Sequence, residues 1–514
     1  MSNTSENSKR IAKNTLLLYG RMLLLMVVSL YTSRVILHSL GVVDFGIYNV
    51  VGGVVAMFSV LSGSLSAAIT RFITFDLGKG DLEALKKTFS SSVTIQIGLA
   101  LLIIVLAEFV GVWFLNNKMV IPANRLLAAN WVLQFSILNF AIYLISVPYN
   151  AAIIAHEKMS AFAYISIIEA IWKLVVAFLI ARTPFDRLIF YAFLLAVIAV
   201  AIRIIYGYYC NKHFEECHYR FIWDKELLKK MFSFAGWNFL GAGSSLLMNQ
   251  GVNVLMNLFF TVSINAARGV VLQVDNAILG FVNNFMIALN PQITKNYASN
   301  NMDYMYKLVC RGSKYSYFLL FFFALPIMLE AKPLLQLWLG IVPDYSVQFL
   351  RLTILLSLLS VISNTLVTSM LATGNIKKYQ IIVGGTGMLV FPLAYLAYYL
   401  GYPPASVYII NFVIFLLQLL YRLFLLRDMI GLPIRMFVNE VLFKVVLVTV
   451  CASVIPVIAF IYINSDLVLL KFFALIFISV ICTLISILLI GMKKTERKFV
   501  FEKITDFKNK FIKK

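Results

Sequence analysis

Charge is what this chain has least of. Only 13% of its 514 residues are Asp, Glu, Lys or Arg, while 61% are hydrophobic. Soluble domains carry roughly 25% charged residues, so a soluble globular fold is excluded, and apolar runs from end to end leave no room for a soluble domain. Cysteine is also scarce, with five in the chain (Cys210, Cys217, Cys310, Cys451, Cys482); no disulfide framework is implied. There are four histidines, all near loops (His38, His156, His213, His218), and no His-Glu-x-x-His. The cluster Cys210, His213, Cys217, His218 lacks strict zinc-finger spacing, so no metal is expected there. A Gly-x-Ser-x-Gly elbow and a Walker A loop are absent, since GKGD at Gly78 is not one. No loop is large enough to carry a glycosyl-transfer or ligase site. Acidic residues are outnumbered by 23 to 44 basic ones, for a net charge of +21. Most of that excess sits in short loops and the tail, which is not a nucleic-acid footprint. No cleavable signal peptide is expected, because the polar, basic start leads into an apolar run too long for an h-region.

What is present is a succession of apolar segments, each near the roughly 20 residues a bilayer crossing requires. They predict an all-α polytopic membrane protein of about 14 transmembrane helices. The first is expected over Lys13–Leu37, the second over Phe45–Phe75 and the seventh over Phe232–Phe260. The eighth is expected over Ile264–Ile293, the tenth over Val347–Leu371 and the last over Leu467–Ile490. The stretch from Leu40 to Ser92 sets the pattern: a Gly/Asp turn, an apolar run rich in small residues suited to close helix packing, Arg71 near its exit, then a short charged loop. With the N-terminus inside, the cytoplasmic loops and tails hold roughly 29 Lys/Arg and the external loops roughly 5. That bias predicts cytoplasmic N- and C-termini and an even number of spans. The tail from Met492 interleaves Phe, Ile and Val with Lys and reads either as an amphipathic segment on an anionic leaflet or as a solvated basic tail.

A weak internal repeat organises the chain. Leu77–Ser92 lies opposite Ala298–Ser313, Ala129–Tyr164 opposite Leu350–Val383, and Asn14 opposite Asn238, all at offsets of about 217 to 224 residues. Six spans per repeat give both halves one orientation, related by a pseudo-twofold along the membrane normal. The expected division is an N-terminal bundle over 1–211 and a cytoplasmic linker over 212–231. A C-terminal bundle over 232–426, two further helices over 427–491 and the basic tail over 492–514 follow.

Ionisable and polar residues inside spans are costly, so each is a functional candidate. On the first helix Asn14, Arg21 and Thr32 share a face; Arg21 either faces a cavity or is structural, and Arg34, on the opposite side near the outer surface, is expected to snorkel to the headgroups. On the second, Asn49, Thr70, Arg71 and Thr74 share a face, with Arg71 close enough to the edge to snorkel instead. The seventh offers Gln250, Asn253 and Asn257. The eighth carries the widest stripe, Asn265, Arg268, Asp275, Asn276, Asn283 and Asn290, within an arc of roughly 100°. Such a stripe faces a water-filled cavity or a polar partner, and the alternative for Arg268 and Asp275 is a pair that holds the bundle together. On the fifth helix Glu169 and Lys173, at i and i+4, form either a self-neutralising pair or a coupling site. The candidate cavity is therefore basic, which suits a phosphate-like anion. Without an ATPase motif, energy for transport falls to an ion gradient, the membrane potential or the substrate gradient.

The start LYGRMLLLMVVSLYTSRVILHSLGVVDFGIYNVV, the loop LGKGDLEALKKTF and the loop ATGNIKKY together resemble the polysaccharide flippases of the MOP exporter superfamily, along essentially the whole chain. The nearest branch looks like the Wzx-type O-antigen/repeat-unit flippases. The resemblance implies the MATE-like/MOP fold: two six-helix bundles in a V around a central cavity, plus two C-terminal helices. It implies a non-enzymatic flippase of the bacterial inner membrane that moves undecaprenyl-pyrophosphate-linked oligosaccharide units to the outer leaflet by alternating access. No cofactor is implied; H+ and Na+ are the candidate coupling ions. The partners implied are the lipid-linked glycan, membrane lipid, and a polymerase with its chain-length regulator. The family has no strict catalytic signature, so Arg21, Arg71, Arg268, Asp275, Asn253, Asn257 and Asn283 are lumen candidates by position only. A lipid II flippase shares fold and charge logic. A multidrug/cation antiporter of the same fold would need an acidic cleft, and a polymerase or ligase a large external loop.

Overall fold

The computed structural model describes residues 2–56, 59–117, 121–260, 262–339, 342–463, 468–494, 496 and 497, apart from side chains before Lys13 and at some positions, chiefly within 30–61 and 246–266. Every regular element among these residues is helical. Helix α1 (Ser2–Ala56) is broken at Gly41, whose φ of 78° and ψ of 169° leave the helical region; a positive φ of this kind suits glycine. Helices α2 (Ser59–Lys79), α3 (Leu82–Leu106) and α4 (Val112–Asn117) follow, the last two joined by a π turn over Ala107–Gly111. Next come α5 (Leu126–Ala155), α6 (Met159–Ala181), α7 (Arg187–His213) and α8 (Lys225–Leu246). After a second π turn come α9 (Val252–Phe259), α10 (Val262–Ala298), α11 (Met302–Leu329) and the short α12 (Ala331–Leu339). Helices α13 (Ser346–Val361) and α14 (Asn364–Thr373) are a pair bent by 40°. The short α15 (Lys377–Tyr379) and α16 (Gly385–Met388) lead to α17 (Val390–Tyr399) and α18 (Ser406–Ile430). The chain closes with α19 (Ile434–Phe437), α20 (Phe443–Tyr462) and α21 (Val468–Ser486).

Ten of these segments are long and apolar enough to cross a bilayer, or eleven when the bent α13–α14 pair counts as one. Among the described residues this count does not reach the 14 expected from sequence. The expected first span is the part of α1 before Gly41, and the expected second is shared between the end of α1 and α2, around residues 57 and 58, which lie outside the described residues. The expected seventh is α8, a π turn and α9. Side chains such as Phe109, Val446 and Phe477 are more than half exposed; apolar patches of this extent belong against lipid.

The chain folds as two compact units. The first comprises Met1–Ala242, Ile287–Met302 and Leu371–Gln380; the second comprises Gly243–Met286, Asp303–Met370 and Ile381–Lys514. In the first unit, Val51, Ala129, Val132 and Leu188 are fully buried where α1, α5 and α7 pack. Asp44, just past the Gly41 break, is held by Arg125 at the head of α5, with Nε–Oδ1 at 2.8 Å and Nη2–Oδ2 at 2.6 Å. Arg125 also pairs with Asp186, which caps α7 by accepting from the Leu188 and Ile189 amides. In the second unit Leu350, Ile354, Leu366, Val407 and Val448 are fully buried.

Candidate functional site

The first unit contains a cavity of about 510 Å³ walled by α1, α5, α6 and α7. Helical spacing explains its lining. Asn139, Ser146 and Asn150 fall on one face of α5, and Phe162, Ser166, Glu169 and Lys173 on one face of α6. Arg21 enters from α1, and Tyr206 from α7. The Arg21 guanidinium carbon lies 4.3 Å from the centre of the Phe162 ring, a cation–π arrangement. Glu169 and Tyr206 lie within its electrostatic reach. Among the described residues its Nε is buried without a hydrogen-bond partner, as is the side-chain oxygen of Asn150. Lys173 Nζ donates to Glu169 Oε1 at 2.5 Å. Two cations and one carboxylate leave a formal excess of positive charge, with Arg21 carrying unused donor capacity. Arg21, Glu169 and Lys173, expected separately from their helices, thus meet in one site. Asn139, Asn150 and Tyr206 were not singled out from sequence, although the 139–146–150 spacing on one apolar helix was the signal for the first two.

The remaining candidates lie elsewhere. Arg71, on α2 in the first unit, donates through Nη2 to the Ala372 carbonyl oxygen at 2.7 Å and through Nε to the same atom at 3.3 Å; the rings of Phe72 and Phe75 lie 4.7 and 4.4 Å from its guanidinium carbon. In the second unit Asp275 is buried on α10 and accepts from Ser357 Oγ of α13 at 2.7 Å. Arg268, also buried, has Nη1 4.0 Å from Met256 Sδ and lies within electrostatic reach of Tyr408 and Tyr398. The α10 stripe divides, because Asn276 and Asn283 are exposed whereas Arg268 and Asp275 are buried. Asn253 is half-buried on α9. The side chains of Asn257, Asn265 and Arg34 lie outside the described residues. Cys210 and Cys217 are buried thiols, His213 turns to the Tyr209 carbonyl of its own helix, and among the described residues no group of three or more His, Cys, Asp or Glu is arranged to hold a metal ion.

Residues 9–296, more than half of the chain, match the family described as "Polysaccharide biosynthesis protein". No curated protein sequence matches the chain. Solved structures of similar fold include an outward-facing multidrug resistance MATE family transporter of the MOP superfamily (12% identity, TM-score 0.71, covering 82% of this chain and 97% of that one). A MOP superfamily transporter from Pyrococcus furiosus, described as having a binding pocket of reversed polarity, is 13% identical with TM-score 0.69, covering 81% and 95%. A mutant of the Vibrio cholerae MATE transporter VcmN is 17% identical with TM-score 0.65, covering 83% and 99%. At such identities these likenesses concern the fold alone. The family match and the helical architecture together identify the chain as a multi-pass membrane protein of the polysaccharide biosynthesis protein family, with a fold shared by transporters of the MOP superfamily.

Proposed function

We propose that the protein flips undecaprenyl-pyrophosphate-linked oligosaccharide units from the cytoplasmic to the outer leaflet of a bacterial inner membrane by alternating access, with its termini in the cytoplasm. The observation that carries this reading is Arg21. A guanidinium stacked on Phe162, with no direct carboxylate pair and Nε unpartnered among the described residues, is expensive to maintain in a membrane unless it serves a ligand. Its planar fork suits the two oxygens of a phosphate. Asn139 and Asn150 beside it supply the donors and acceptors that a sugar headgroup needs. A cation antiporter would call for excess acid in this cavity, whereas the balance of Arg21 and Lys173 against Glu169 is basic. Glu169 is the candidate coupling carboxylate for H+ or Na+. A polymerase and its chain-length regulator are the partners that would use the flipped unit.

Arg21→Ala should lower surface polysaccharide by about tenfold, the worth of one charge-assisted hydrogen bond, at unchanged protein level in the membrane. Arg21→Lys, which keeps charge but loses the fork, should fall between the two. Wild-type polysaccharide in the alanine variant would remove Arg21 from the substrate path.

A further inference from the structure

One end of the first unit is tied by two sets of contacts related by the internal repeat. In the first, Arg71 on α2 donates to the carbonyl of Ala372. Its guanidinium lies over Gly374, where a Cβ would sit 2.6 Å from Nη2. In the second, Gln292 Nε2 and Lys295 Nζ on α10 donate to the two carboxylate oxygens of Glu157 at 2.7 and 2.8 Å. Arg71 and Gln292 correspond under the repeat shift of about 220 residues. So do the segments they grip: Ala155-His156-Glu157 at the end of α5, and Ala372-Thr373-Gly374 at the end of α14. Both turns carry a left-handed residue at the matching place, Glu157 at φ 58° and Gly374 at φ 77°. Glycine adopts this conformation freely, whereas a glutamate there is strained by about 1–3 kcal/mol. Its carboxylate, nearly inaccessible to solvent, faces α10. The first helix of the first repeat also reaches this turn, since Asn14 Nδ2 donates to the Glu157 carbonyl at 3.2 Å, whereas its counterpart Asn238 accepts from Gln380 Nε2 at 3.5 Å, six residues beyond Gly374. Between the two sets α2 and α10 touch backbone to backbone, so that a Cβ at Gly78 would lie 2.8 Å from Lys295 Cα.

We infer that these are two reciprocal latches of a gate, Arg71 on the Ala372–Gly374 turn and Glu157 on Gln292 and Lys295, and that both must release before α2 and α10 part to admit substrate. The inference rests on the alternating-access reading above and moves Arg71 from the substrate cavity to the gate. A simple packing contact would be apolar and would need no paired charge. Here a strained, buried carboxylate and a guanidinium committed to one carbonyl give contacts that are strong when made and fully replaceable by water when broken. His156, beside Glu157, shares a hydrogen bond with Glu216 Oε1 at 2.5 Å and stacks on Phe214, which ties the turn to the segment after α7.

The test uses Thr74→Cys, a near-isosteric change at a buried position one turn from both Arg71 and Gly78, in the full-length purified protein. The rate of labelling by a polar maleimide is counted above that of the parent. Glu157→Gln and Arg71→Gln should each raise it about tenfold, and together by more than either alone. Because a single variant can act by misfolding, the reversed pair Glu157→Lys with Lys295→Glu is made alongside Glu157→Lys. Restoration of slow labelling in the reversed pair supports the latch. Unchanged labelling in both glutamine variants, or no restoration by the reversed pair, overturns it. Faster labelling with an undisturbed glycan profile in cells would uphold the latch and count against the flippase reading instead.

Discussion

Arg268 and Asp275 sit two turns apart on one helix yet are held by different chemistry. Asp275 has a hydroxyl partner in Ser357, whereas Arg268 lies among Met256, Tyr398 and Tyr408. Asp275→Asn keeps an oxygen for Ser357 and should leave thermal stability nearly unchanged. Asp275→Ala strands a buried hydroxyl and should cost about 1–3 kcal/mol, measured as a lower apparent Tm. If both variants also lose surface polysaccharide, the carboxylate charge rather than its packing serves transport; full polysaccharide from the asparagine variant would make it structural. Helical spacing made this stripe legible in the sequence, but spacing gives only angles. Which neighbour each level of α10 meets depends on helices distant in sequence, such as α13 and α18, so the exposure of Asn276 and Asn283 could not be read from it. Glu157 escaped notice for the opposite reason: an acid in a polar turn is ordinarily solvated, and only the partner helix shows it to be buried.

At the scale of elements, ion pairs fasten helix ends that apolar packing leaves free. Arg125 joins the start of α5 to Asp44 after the Gly41 break and to Asp186 at the start of α7. Burial pushes the Asp186 carboxyl up, but the Arg125 guanidinium and the Leu188 and Ile189 amides outweigh it and hold the group below its ordinary value. Its contribution to stability is therefore complete above the ordinary aspartate value and is lost as the pH falls through the lower folded one. Apparent Tm should drop on acidification more in the parent than in Asp186→Asn; equal acid sensitivity would contradict this. At the other end of the chain, Lys314, almost fully buried on α11, pairs with Glu496 at 3.2 Å, and Arg311 joins the same carboxylate at 3.0 Å. Burial works against ionisation of Glu496, yet the Lys493 amide, Lys314, Tyr315 and Arg311 keep it below the usual glutamate range. Glu496→Ala leaves Lys314 buried and uncompensated and should cost about 3 kcal/mol, the largest loss among these variants. In sequence Glu496 was one acid in a basic tail, and nothing local marked it as the partner of a lysine far upstream.

For the whole molecule, the helical membrane architecture was legible because apolar runs near bilayer length carry a strong local signal. The break at Gly41 was legible too, as the Gly/Asp turn between the first two expected spans; the bend between α13 and α14 and the π turns were not, since they shift helix direction without changing composition. The internal repeat, weak as sequence, gains weight from the matching turns at Glu157 and Gly374. The central claim is that the protein carries a lipid-linked glycan across the membrane. The most direct measurement is the sidedness of undecaprenyl-linked glycan in cells lacking this gene, read with a membrane-impermeant sugar probe. Complete units trapped on the cytoplasmic leaflet, released by the wild-type gene but not by Arg21→Ala, are the expected result. A normal glycan profile with altered sensitivity to cationic drugs, or complete units accumulating on the outer leaflet, would contradict it.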